Sequence, residues 1–148
     1  VVCLLLGAAL WLWLPRPDRL PPETHLVRPI PGDRSRLARD VTYPDGSTVR
    51  AGETFVKTWQ IDNIGTVPWR DRYLYRQWPW DGEDLCQTER RSVRIPDTDP
   101  GESALVSVEV RAPVEPTRCK VYWKMVDVDG NHYMPHLSGI FFDVTVVR

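Results

Sequence analysis

The groups that chemistry would draw on here are three histidines, three cysteines and a scatter of carboxylates. Cys119 is followed by His132 and His136 at spacings reminiscent of a zinc finger. The rest of such a site is missing: Cys86 lies far upstream, no Cys-x-x-Cys pair occurs, and a strand pattern rather than a helix leads into the histidines. Asp127-Val128-Asp129-Gly130-Asn131 imitates part of a calcium loop. It lacks that motif's glycine position and terminal Glu, so it reads as a hairpin turn. His25 stands apart from the other two histidines. No Gly-x-Ser-x-Gly, His-Glu-x-x-His or phosphate-cradling glycine loop is present, and the carboxylates fall in turn sequences where solvated charge is the default. The reading is of a non-enzymatic chain with neither a metal site nor a cofactor.

Binding chemistry is better represented. The chain carries 7 Trp, each a large apolar surface with one N–H. Trp78 and Trp80 flank Pro79 beside the acidic residues Asp81, Glu83 and Asp84, and in an extended run one of the two must point away from the core. Trp69 follows Pro68 at a strand end, where partial exposure is expected. Aromatic side chains on a rim serve protein or carbohydrate recognition, so Trp69, Trp78 and Trp80 form the candidate binding rim. The competing reading of Trp78 and Trp80 is purely structural, because single exposed aromatics are common. Trp59 and Trp123 lie on alternating strands and read as core. Cys86 and Cys119 are a possible disulfide: a bond requires a Cα separation of about 4.4–6.8 Å and an oxidising compartment.

The elements that position these groups are short strands. Pro is more frequent than Gly, 14 against 9, and Pro removes helical donors. Ser103–Arg111 alternates Ala104, Val106, Val108 and Val110 with Leu105, Ser107, Glu109 and Arg111, the period-2 pattern of a half-buried strand. Residues 54–64 place Phe55, Trp59 and Ile61 on one face; Lys57 interrupts that face, so its ammonium must reach an edge or a partner. Further strands are expected at 40–43, 47–49 and 73–78, around Cys119, Val121, Trp123 and Met125, and over Ile140–Val147. About seven or eight short strands with regular turn signals imply an all-β sandwich.

The N-terminal part differs. Residues 1–14, VVCLLLGAALWLWL, hold no charged side chain. The run is shorter than the roughly 20 residues of a spanning helix, and it starts at Val1, which suggests sequence upstream. It reads as the end of a transmembrane or signal-anchor helix with Trp11 and Trp13 near the interface. A cleaved signal peptide is the rival reading, although no small-x-small site follows Leu14. Residues 15–39 form a Pro/Arg-rich linker, semi-extended because Pro fixes φ, and residues 40–148 form the folded domain.

Residues 55–69, FVKTWQIDNIGTVPW, resemble the signature of the four-tryptophan domain, the Ig-like central domain of the Next-to-BRCA-one family of selective-autophagy receptors, which also occurs in bacterial proteins. Further matches follow in family order: Thr42-Tyr43-Pro44-Asp45-Gly46-Ser47, Pro100-Gly101-Glu102, Ala112-Pro113 and Tyr122-Trp123-Lys124-Met125. The resemblance covers about residues 40–148 and places the family tryptophans at Trp59, Trp69, Trp78 and Trp123. The last hairpin departs from the family, with Tyr133-Met134 where Phe-Gly is usual and a longer loop over 132–139.

The resemblance implies an immunoglobulin-like sandwich that binds protein without catalysis. The expected molecule is a membrane-tethered bacterial relative that recognises a protein partner, with its domain outside the cytoplasm. Carbohydrate or cell-wall binding through Trp78 and Trp80 is the alternative, and a sensor or output domain of a larger membrane protein is a third. The net charge of −1 gives no field that would draw nucleic acid.

Overall fold

Ser103–Arg111 alternates in burial residue by residue, with Ala104, Val106, Val108 and Val110 buried and Leu105 57% exposed. This strand, β7, is paired antiparallel along nearly its whole length with β3 (Thr54–Asn63), from Thr54 opposite Arg111 to Asp62 opposite Ser103. The computed structural model describes residues 29–77 and 85–148. Among them are nine strands in two sheets. With β1 (Ser35–Asp40) and β5 (Gln87–Thr88), the first sheet runs β1-β3-β7-β5. The second runs β2-β9-β8-β4-β6, built from β2 (Ser47–Arg50), β9 (Ile140–Val147), β8 (Thr117–Val126), β4 (Tyr73–Arg76) and β6 (Ser92–Arg94). All pairings are antiparallel except β2 with β9.

The core lies where the inward faces of β3 and β7 meet those of β8 and β9, as sheet-on-sheet packing requires. Trp59 and Trp123 are both fully buried, their rings 6.2 Å apart, and Phe142 lies 6.4 Å from Trp59. The Trp59 Nε1–H donates to the Phe141 carbonyl at 3.1 Å, so this indole crosses the core and ties β3 to β9. Lys57 is also fully buried. Its Nζ donates to Asp40 Oδ1 at 2.6 Å and to the carbonyls of Thr42 and Tyr43 at 3.0 and 2.7 Å. Three donors thus meet three acceptors, the condition under which a buried ammonium is tolerated. Cys86 and Cys119 are bonded, with Cα atoms 5.7 Å apart, joining the segment before β5 to β8 of the other sheet.

The fold is all-β with two sheets, as expected, and it differs from the sequence pattern in three details. β1 begins at Ser35, inside the stretch read as linker, and ends at Asp40, where the sequence pattern placed a strand's start. The chain turns at Tyr43 instead, with φ 46°. β1 is exposed along most of its length, so no apolar alternation marked it. β5 and β6 are short and carry no periodic signal, which brings the strands to nine. The strand expected over 73–78 is described as Tyr73–Arg76. No helix among the described residues is long and apolar enough to cross a membrane. The hydrophobic segment 1–14, most of the linker, Trp78 and Trp80 lie outside the described residues.

Candidate functional site

A buried ionic knot fixes the approach to β1. Arg72 and Asp33 are 2% and 7% exposed, and Arg72 Nη1 donates to Asp33 Oδ2 at 2.6 Å. The other carboxylate oxygen of Asp33 accepts the indole N–H of Trp69 at 3.1 Å. The guanidinium lies 4.1 Å from the Tyr133 ring centroid and 5.8 Å from that of Trp69. A buried charge pair is strongly unfavourable to break from one side, so this knot holds three distant pieces of chain together: residues 30–34, the segment before β4, and the β8–β9 loop.

A cleft of about 200 Å³ adjoins the knot at Met125, whose Sδ accepts Arg72 Nη1 at 3.3 Å. One wall is β1, with Ser35 and Leu37; the other is the 132–139 loop, with Met134 and Leu137. Leu74, Trp123 and Met125 contribute core side chains to its lining, and Lys124 lies along it. Leu37 pairs with the buried Ile61 across the β1–β3 ladder, so its side chain is on the core side of the sheet. Leu37 and Leu137 are nonetheless 39% and 37% exposed, because the sandwich is open along this edge. The loop wall is held in several places. Ser35 Oγ meets Met134 Sδ at 3.3 Å, Lys124 Nζ donates to the Pro135 carbonyl at 3.2 Å, and Leu137 N–H donates to the Met134 carbonyl at 3.2 Å. Gly139 returns the chain to β9 with φ 89°, and a Cβ there would lie 2.5 Å from the Trp123 carbonyl oxygen. Only glycine fits.

The residues singled out from the sequence are distributed otherwise. Trp59 and Trp123 are core. Trp69 does not belong to an exposed rim: it is 1% exposed, bridges backbone to Thr98, and spends its N–H on Asp33. A strand end suggests exposure, but Asp33, from far earlier in the chain, supplies a buried acceptor that draws the indole inward. Trp78 and Trp80, the remaining rim candidates and the basis of the carbohydrate reading, lie outside the described residues. Cys119 is bonded to Cys86, which removes its thiolate from any ligand set with His132 and His136. Asp127 turns its carboxylate on its own loop, accepting the backbone N–H of Asp129 and Asn131 and the Asn131 amide, so the calcium-like run is a hairpin turn.

The cleft residues were not found from the sequence. Leu37 is one large apolar side chain in a stretch rich in arginine, and Leu137 lies in a loop without periodicity. Nothing local joins them.

Residues 42–146 match the family described as the Ig-like domain from next to BRCA1 gene. The chain belongs to that family. It is 29% identical over 119 residues to the human Next to BRCA1 gene 1 protein, an alignment covering 76% of this chain and 12% of that protein. It is 33% identical over 125 residues to the Arabidopsis thaliana protein NBR1 homolog, covering 80% and 17%. With Protein ILRUN of Danio rerio it shares 32% over 97 residues, covering 66% and 33%. The chain thus spans only a minor part of each relative, 12% to 33%. These relatives come from animals and a plant, and the expectation of a bacterial relative finds no support among them.

Proposed function

We propose that this chain is a protein-recognition module that acts by binding rather than by catalysis, with the cleft between β1 and the 132–139 loop as its contact surface. The observation that carries this reading is the pair of half-exposed leucines, Leu37 and Leu137, above a buried apolar floor. Apolar anchors set in a pocket with polar surroundings are what interfaces concentrate their energy on. The knot of Asp33, Arg72 and Tyr133 supports it further, since rigid walls lower the ordering cost of binding.

A peptide library displayed on phage and selected on the full chain tests this reading. Selected sequences are expected to lose binding to Leu37→Asp and Leu137→Asp variants whose urea midpoints match the parent. Equal capture by parent and variants, or no selection at all, overturns the cleft as the contact surface.

Tethering to a membrane through residues 1–14, with the domain outside the cytoplasm, is part of the same proposal. Its support is the uncharged run itself and the bond between Cys86 and Cys119, since disulfides persist in oxidising compartments. Release of the chain from membranes by alkaline extraction, or free alkylation of both thiols in intact cells, would count against it.

A further inference from the structure

β1 ends its sheet, and of the four sheet-edge strands it is the longest, with six residues against four in β2, three in β6 and two in β5. The Ile64 N–H donates to the Arg34 carbonyl at 3.2 Å, so Arg34, and by the antiparallel alternation Arg36, turn their backbone polar groups toward β3. Ser35 and Leu37 therefore turn theirs to the open side. Among the described residues no backbone hydrogen bond reaches them there. The two residues with an open backbone are also the two that line the cleft from β1. An unpaired edge and an apolar pocket coincide.

The outer face of the same strand is basic. Arg36 donates to Asp62 Oδ2 at 2.7 Å and Arg39 to Gln60 Oε1 at 3.0 Å. Arg34 and Arg39 have no carboxylate partner among the described residues. On the basis of the recognition reading above, we propose that β1 is completed by an added strand: a partner's extended segment pairs antiparallel or parallel with Ser35 and Leu37 and alternates apolar with acidic side chains. Strand pleating imposes that pattern, because successive side chains go to opposite faces. The apolar positions enter the cleft beside Leu37 and Leu137, and the acidic ones meet Arg34, Arg36 and Arg39.

A second copy of β1 is a poor occupant, since it would set these arginines against their twins, and like charges on adjacent strands repel. The register shift between Leu37 and Arg39 limits pairing to a short stretch, because a bulge bends the strand and interrupts its ladder. Side chains rather than a long ladder must then supply specificity.

The probe is the synthetic peptide Ser-Glu-Leu-Glu-Val-Glu-Ser, added to the isotope-labelled full chain and followed by fluorescence anisotropy and amide hydrogen exchange. Binding is expected together with new protection of the Ser35 and Leu37 amides. Replacing Glu by Lys in the peptide, or N-methylating its paired amides, weakens binding about tenfold or more, equivalent to about 1.4 kcal/mol. The Arg39→Glu variant, which folds as the parent does because the residue is exposed, shows the same loss. Binding that depends on Leu37 but leaves the Ser35 and Leu37 amides unprotected and tolerates N-methylation overturns strand addition while the cleft reading stands. Absence of any peptide binding, with no sequences selected from the library, overturns both. Amides already protected without peptide, whether by residues 1–28 or by concentration-dependent self-association, also overturn the proposal.

Discussion

Asp143 is 5% exposed, and its two oxygens accept Arg118 Nε and Nη2 at 2.8 and 2.6 Å. This fork holds the carboxyl below its ordinary range and raises the guanidinium. Asp62 is likewise lowered, by the hydrogen bonds from Arg36 and Ser103. A carboxylate whose pKa falls on folding contributes stability that is complete above its unfolded value, about 3.9, and is lost as pH drops through the lower folded value. Asp45 is raised, chiefly by desolvation, and acts in the opposite sense. Urea titrations from pH 7 to pH 2.5 are expected to show Asp143→Asn less stable than the parent at neutral pH, with the difference closing below about pH 4. A constant difference across that range would place the effect in packing instead. Single residues were unevenly legible. Lys57 had to find a partner because its strand face is apolar, and it does. Trp69 misled because its acceptor lies in a segment with no pattern.

At the scale of elements, Ser103–Arg111 could be read to the residue, since burial on one face writes an alternation into the sequence. Ile140–Val147 was legible as a β-forming run, although Phe142, Asp143 and Val144 are buried in succession. β1, β5 and β6 were not legible. Strands at sheet edges, short or largely exposed, leave composition free to vary, and β1 passed for linker for that reason. The cleft was illegible on the same ground: its walls, Leu37 and Leu137, are joined only by tertiary structure. The loop wall gives a direct test. Gly139→Ala forces a Cβ against the Trp123 carbonyl at a positive φ, a strain of about 1–3 kcal/mol. A lower urea midpoint with unchanged slope is expected, together with weaker binding of any cleft ligand. An unchanged midpoint would mean that the loop relaxes freely and does not form a fixed wall.

For the whole molecule, the bond between Cys86 and Cys119 spans 33 residues of sequence. Closing a loop of that size restricts the unfolded chain by about 3–4 kcal/mol in the entropic account. That is a large share of the roughly 5–15 kcal/mol by which domains are stable. Reduction, or the Cys86→Ser/Cys119→Ser pair, is expected to lower stability by about that amount while leaving the two sheets intact by circular dichroism. A loss well under about 1 kcal/mol would show that the segment before β5 is already ordered in the unfolded state. Fold class was legible from the strands and the tryptophan order together. The bond itself was not, since spacing alone says nothing of Cα separation.

β9 is hydrogen-bonded on one side to β8 and on the other, in parallel, to β2. During synthesis β9 leaves the ribosome after every other described strand, yet it is the piece that joins the second sheet's beginning to its middle. Until then β2 has no neighbour, and the inward faces of β3 and β8 await Phe142, Val144 and Val146. The nascent domain therefore carries an open greasy seam through most of its translation. It closes late and over long sequence distances, the regime in which folding is slow and chaperones are recruited.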